Sequence, residues 1–149
     1  GTFMASRISQ RLREKEGMSY GAGSFMSAEY KEKEGTWQLY AIFNPKVKNR
    51  LDSALREEID RAISKGFTQD ELNNSIKSLM QYRQTLLGLD NYLAYQISDY
   101  MKDGRDLDDF TDFETQTKSL SLNAVNAALK KYFDTSKLVL VYAGDFNKK

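Results

Sequence analysis

The chain has 149 residues, 40% of them hydrophobic and 29% charged, which is the size and balance of one soluble globular domain. Lys and Arg number 22 against 21 Asp and Glu, so the net charge of +1 gives no general pull toward nucleic acid or an anionic membrane, and no apolar run is long enough to span a bilayer. The chain has no cysteine and no histidine, which excludes disulfides, thiolate sites, a His–Ser–Asp triad, a histidine base and histidine-held zinc within it.

Phe3, Met4, Ile8 and Leu12 recur at helical spacing among polar residues, and Gly17 is a natural stop because glycine accepts the left-handed conformation. No apolar stretch of signal-peptide type follows Gly1. Ser19 to Ala28 reads as a strand, the charged run from Glu29 to Gly35 as a turn, and Thr36 to Phe43 as a second strand rich in aromatic residues, so the pair predicts an antiparallel hairpin. Asn44-Pro45 opens a helix with Val47, Leu51, Leu55, Ile59 and Ala62 on one face and Gly66 as its end. Thr68 and Glu71 make a capping box for the next helix, which carries Leu72, Ile76, Leu79, Met80, Arg83 and Leu87.

A third helix of this group begins near Asp90 with Leu93, Ile97 and Met101. A shorter one carries Phe110 and Phe113, and Ser121 caps the last, which presents Leu122, Val125, Leu129 and Phe133. Leu138-Val139-Leu140-Val141-Tyr142, within Lys137 to Ala143, is continuously apolar and predicts a final strand buried on both faces. The order predicts an α+β fold, with helices on one face of a mainly antiparallel sheet. Three strands are few beside so much helix, so we expect N-terminal strand(s) to be missing upstream. A sheet cut in this way has an exposed edge that invites pairing with a second copy, as a homodimer.

The residues that bear on chemistry lie between Arg13 and Tyr20. The turn at Gly17 can bring a guanidinium and a phenol to one edge of the sheet. Both are strong donors at neutral pH, as a developing oxyanion requires, but neither is a nucleophile, a base or a metal ligand. On spacing alone, an ion-paired Arg13 and a sheet-packed Tyr20 account for the same residues. Gly21 and Gly23 read either as a place of close backbone approach or as a local twist or bulge. The acidic run from Asp103 to Glu114 fails the calcium-loop pattern and reads as helix-start chemistry, and the tyrosines read as packing residues.

The stretch Ser6 to Gly21, Ser-Arg-Ile-Ser-Gln-Arg-Leu-Arg-Glu-Lys-Glu-Gly-Met-Ser-Tyr-Gly, resembles the Arg/Tyr motif in the C-terminal half of pitrilysin/insulinase-family zinc peptidases, which include insulin-degrading enzyme and the mitochondrial processing peptidase. The likeness continues through Asn44-Pro45, Gly66 to Leu72 and Ala143-Gly144-Asp145-Phe146, in the same order. The resemblance implies a LuxS/processing-peptidase-like metallohydrolase half-domain, with residues 1–149 as a single truncated C-terminal part of a larger peptidase. It implies zinc bound by an H-x-x-E-H motif in another, N-terminal domain or subunit, and none in this chain. Arg13 and Tyr20 would hold the scissile carbonyl or the oxyanion, Gly21 and Gly23 would line a peptide substrate bound as an added strand, and the piece alone would be inactive. The other role that the resemblance offers is that of a catalytically inactive structural or partner subunit. Neither nucleic acid nor membrane is an expected partner.

Overall fold

The computed structural model describes residues 7–28 and 30–146. Helix α1 covers residues 7–15, and from Gln10–Lys15 it is wound as a π-helix. Strands β1 (Ser19–Ala28) and β2 (Gly35–Phe43) form a two-stranded antiparallel sheet. Asn44 caps a 3-10 turn, Pro45–Val47, that leads into α2 (Lys48–Lys65). Helices α3 (Gln69–Leu87), α4 (Asp90–Asp103), α5 (Leu107–Lys118) and α6 (Leu122–Tyr132) follow. This is the α+β arrangement expected.

The core forms where α1 and α2 cover one face of the hairpin. Ile8 and Leu12 from α1, Leu51, Ala54, Leu55, Ile59 and Ala62 from α2, and Met18 and Phe67 beside them make one buried cluster. Trp37, Leu39, Ala41 and Phe43 pack on it from alternate positions of β2, as a strand of period two requires. Ile8 and Leu12 are fully buried, and each contributes about 1.5–3 kcal/mol by leaving water. The apolar stripe of α6, Leu122, Val125 and Leu129, closes the cluster, and Phe133 meets Trp37 edge-on at 4.6 Å.

The helix boundaries follow local chemistry. Gly66, at φ 73°, ends α2, and the Thr68/Glu71 capping box starts α3. Asp106 and Asp109 form a second capping box on α5, so these two members of the acidic run serve a helix start. A smaller packing unit joins α3 to α5, where Arg83 is buried with its guanidinium 4.0 Å from the Phe110 ring.

Three expectations are corrected. The run Leu138 to Ala143 is not a strand, because the hairpin is the whole sheet among the described residues and no neighbour supplies a ladder. Val139 and Val141 are each 85% exposed rather than buried. In α4 the buried residue is Tyr100, stacked under Arg105 at 3.7 Å and edge-on to Phe110, while Met101 is 73% exposed. The larger aromatic surface takes the inward face. Packing also fails as a general account of the tyrosines, since Tyr20, Tyr40, Tyr82, Tyr95 and Tyr132 are exposed. Phe3 and Met4 of the first helix lie outside the described residues.

Candidate functional site

Arg13 lies on the exposed side of the π-wound segment, and Tyr20 follows the turn at the head of β1. Gly17, at φ 60°, makes that turn. It is closed by hydrogen bonds from Gly17 N–H to the Arg13 carbonyl (3.2 Å) and from Met18 N–H to the Leu12 carbonyl (2.8 Å). With Leu12 and Met18 buried, the two ends of the turn are anchored in the core, whereas Arg13 and Tyr20 face solvent. Tyr20 is 74% exposed, and among the described residues neither side chain makes a hydrogen bond or an ion pair, either with the other or elsewhere.

A β-bulge sets Tyr20 apart from the strand. Ser19 pairs with Phe43 and Gly21 with Ile42, so Tyr20 is the additional residue. The buried Ser19 hydroxyl staples the bulge. It accepts from Gly21 N–H (3.2 Å), and its hydrogen is shared between the carbonyls of Gly21 (2.7 Å) and Ile42 (3.0 Å).

Beyond the bulge, Gly21 and Gly23 stand opposite Ile42 and Tyr40, on the sheet face away from the core. A side chain at Gly21 would meet open space. One at Gly23 would come within 2.9 Å of the Tyr40 ring, so Gly23 leaves room for that ring to lie across the strand. Tyr40 and Ile42 are 54% and 61% exposed.

An ionic network stands behind Arg13. The Glu16 carboxylate accepts from Arg11 Nε on one oxygen and from Arg50 Nη2, 3.1 Å away, on the other. Arg11 Nη2 also reaches Glu57 at 2.9 Å. The Arg11 contact, foremost, holds the Glu16 carboxyl below the usual glutamate range. A groove of about 330 Å³ lies between α1, α2 and α3, but neither Arg13 nor Tyr20 lines it. Three of its cations are already neutralised, Arg7 by Glu71, Arg11 by Glu16 and Glu57, and Arg61 by Glu58.

The roles of Ser19, Glu16 and Tyr40 were not foreseen from sequence. Ser19 reaches Ile42, 23 residues away, and Glu16 reaches Arg50, 34 residues away, so neither has a local signature. The chain's donor set does not fit zinc. It lacks the histidine and cysteine that usually bind the metal, and no three acidic side chains cluster among the described residues.

Comparisons with known proteins bear on the family and the fold. The chain is 31% identical over 91 residues to an uncharacterized zinc protease of Streptomyces coelicolor, covering 61% of this chain and 19% of that protein. Among solved structures it is similar to the periplasmic protease PqqL of Escherichia coli, with a TM-score of 0.70, 22% identity, and coverage of 87% of this chain and 14% of that one. It is also similar to a peptidase M16 inactive domain of Pseudomonas fluorescens, with a TM-score of 0.74, 20% identity, and coverage of 86% and 30%. A protease of Helicobacter pylori matches with a TM-score of 0.69, 18% identity, and coverage of 91% and 35%. These structures share the fold, and the chain spans only a minor part of each relative. The family model described as "Peptidase M16 inactive domain" matches residues 1–79, more than half of the 149, which bears out the resemblance to zinc peptidases: the chain belongs to the peptidase M16 inactive-domain family.

Proposed function

We propose that this domain forms the substrate-binding, oxyanion-stabilising wall of a zinc-dependent metalloendopeptidase whose metal is held by a separate zinc-binding domain or subunit. The observation that carries the reading is that Arg13 and Tyr20, at the two ends of one anchored turn, are exposed and unpaired among the described residues. A surface arginine with no carboxylate partner among the described residues and a phenol projected by a bulge do nothing for packing. They are donors left open toward solvent, suited to an oxygen that gains negative charge during peptide hydrolysis. In this reading the attack on the peptide begins elsewhere. Arg13 supplies charge and Tyr20 an O–H, and an extended peptide lies along Gly21 and Gly23.

The test is Arg13→Ala and Tyr20→Phe in the peptidase that joins this domain to its zinc-binding half. Each substitution should lower turnover by roughly 10²–10³-fold, the range for loss of one oxyanion donor. The melting temperature should stay unchanged, because neither side chain is buried. Full turnover in both variants would leave the domain as a non-catalytic partner subunit.

A further inference from the structure

Neither strand of the hairpin holds a charged residue, in a chain of which 29% is charged. On the inner face this is core composition. The outer face is not core, since Tyr40 and Ile42 are more than half exposed and Phe25, on the same face, is half exposed. A sheet with one solvated face ordinarily turns polar residues outward, and an apolar face left uncharged marks a contact surface. This face also has relief. Ile42 is the cross-strand partner of Gly21, and a methyl added at Gly21 would meet nothing within 4 Å. Two residues further along the face, the Tyr40 ring lies across Gly23, 2.9 Å from the place a Cβ would take. Gly21 is thus the floor of a shallow notch between Ile42 and the Tyr40 ring, next in the chain to Tyr20.

From this we infer that the Gly21 notch is a specificity subsite, which takes an aromatic or large aliphatic side chain of an extended peptide. The inference rests on the reading that the peptide lies along Gly21 and Gly23. Among the described residues β1 has no neighbour on the side away from β2, so a strand can be added there. Such a strand sends alternate side chains to the outer face. One set against Gly21 finds no Cβ in its way and reaches across the glycine to Ile42 and the Tyr40 ring. A charged side chain in the same place would lose water and meet no ion-pair partner on either strand. Tyr20 is adjacent, and a strand rises about 3.3 Å per residue, so the selected residue lies within about three residues of the cleaved bond.

The test is a competition among peptides that differ only by Phe, Ala or Glu at one position, moved through the residues around the scissile bond, in the zinc-joined peptidase proposed above. At one position kcat/KM should favour Phe over Ala by roughly ten-fold, the low end of apolar discrimination, and Glu should be the poorest. Ile42→Ser and Gly21→Val should each bring the Phe/Ala ratio toward one, the first by removing a wall and the second by filling the notch. The ratio is read within one enzyme sample, so a variant that folds poorly changes the total rate and not the ratio. A purely structural role for this face, with the Tyr40 ring propping Gly23, predicts lower stability and an unaltered ratio. That result would overturn the inference, as would the lack of a Phe preference at every position. Arg13→Ala keeps the two ideas apart, since it should slow all three peptides alike. A large loss in Arg13→Ala beside an unmoved ratio in Ile42→Ser sinks the subsite alone. No loss in Arg13→Ala or Tyr20→Phe, beside a ratio that falls in Ile42→Ser, sinks the oxyanion reading and keeps the subsite.

Discussion

At the residue scale, Ser19 decides where Tyr20 points. Its hydroxyl is the only side-chain group holding the bulge among the described residues, and it is buried, so water cannot replace it. Ser19→Ala should cost about 1–3 kcal/mol, because it leaves the Gly21 N–H unsatisfied, and should lower turnover as Tyr20 loses its fixed exit from the strand. Denaturant unfolding and kcat read the two effects separately. Gly21→Ala makes the opposite test. Nothing lies within 4 Å of the added methyl and the backbone φ is not positive, so stability should hold or rise by about 0.4–1 kcal/mol. If a peptide lies along Gly21, its affinity should nonetheless fall, as a rise in KM. An unchanged KM would move the substrate's path off this strand.

At the element scale, Arg7 of α1 bridges the joint between α2 and α3. Glu71 both completes the α3 capping box and accepts two bonds from Arg7, from Nε and from Nη2 at 2.7 Å, while Arg7 also donates to the Gly66 carbonyl at 3.0 Å. These contacts, with Arg7 the largest cause, hold the Glu71 carboxyl below its ordinary range. A depressed carboxylate stabilises the fold fully above its unfolded pKa, about 4.3, and that contribution is lost as pH falls through the lower folded value. The stability gap between the native chain and Glu71→Gln should therefore be constant near neutral pH and shrink as the solution is acidified below about pH 4, as thermal melts across that window would show. Gly66→Ala is a second joint test. It forces a methyl to 2.8 Å from Asn126, which brackets Phe67 through its N–H (2.8 Å) and carbonyl (3.2 Å), at a positive φ, so a loss of more than about 1 kcal/mol is expected.

These joints also mark what the sequence could reveal. Thr68, Glu71, Gly66 and Ser121 announced helix ends because capping is local chemistry. The β1 bounds and the core face of α2 followed from periodicity. The Ser19 staple depends on Ile42, 23 residues away, which no local window of sequence contains, and neither the π-winding of α1 nor the inward turn of Tyr100 follows from helical periodicity. For the site, Arg13 and Tyr20 were singled out through the family resemblance and not by their spacing, and Glu16 with its guanidiniums was not singled out at all.

At the scale of the whole molecule, the run from Leu138 to Ala143 shows what a strand-like sequence does without a strand beside it. It is anchored at both ends. Leu138 packs on the core cluster, and Tyr142 donates to Asp52 at 2.6 Å beneath the Lys48 ammonium, which sits 4.0 Å from the ring. Between these anchors the side chains of Val139 and Val141 face water, and the backbone N–H groups of residues 139–143 make no hydrogen bond to any described residue. An apolar run of this kind, held in place with its main chain open, would accept a further strand if one were supplied. Amide hydrogen exchange should report this directly. The N–H groups of Val139, Leu140 and Val141 should exchange rapidly in the isolated domain, while the paired amides of β1 and β2 are protected. If the domain is joined to a zinc-binding half as proposed, a strand paired here would slow these amides by orders of magnitude. Slow exchange in the isolated domain would instead mean that the run already has a partner, and that the sheet ends elsewhere than at β2.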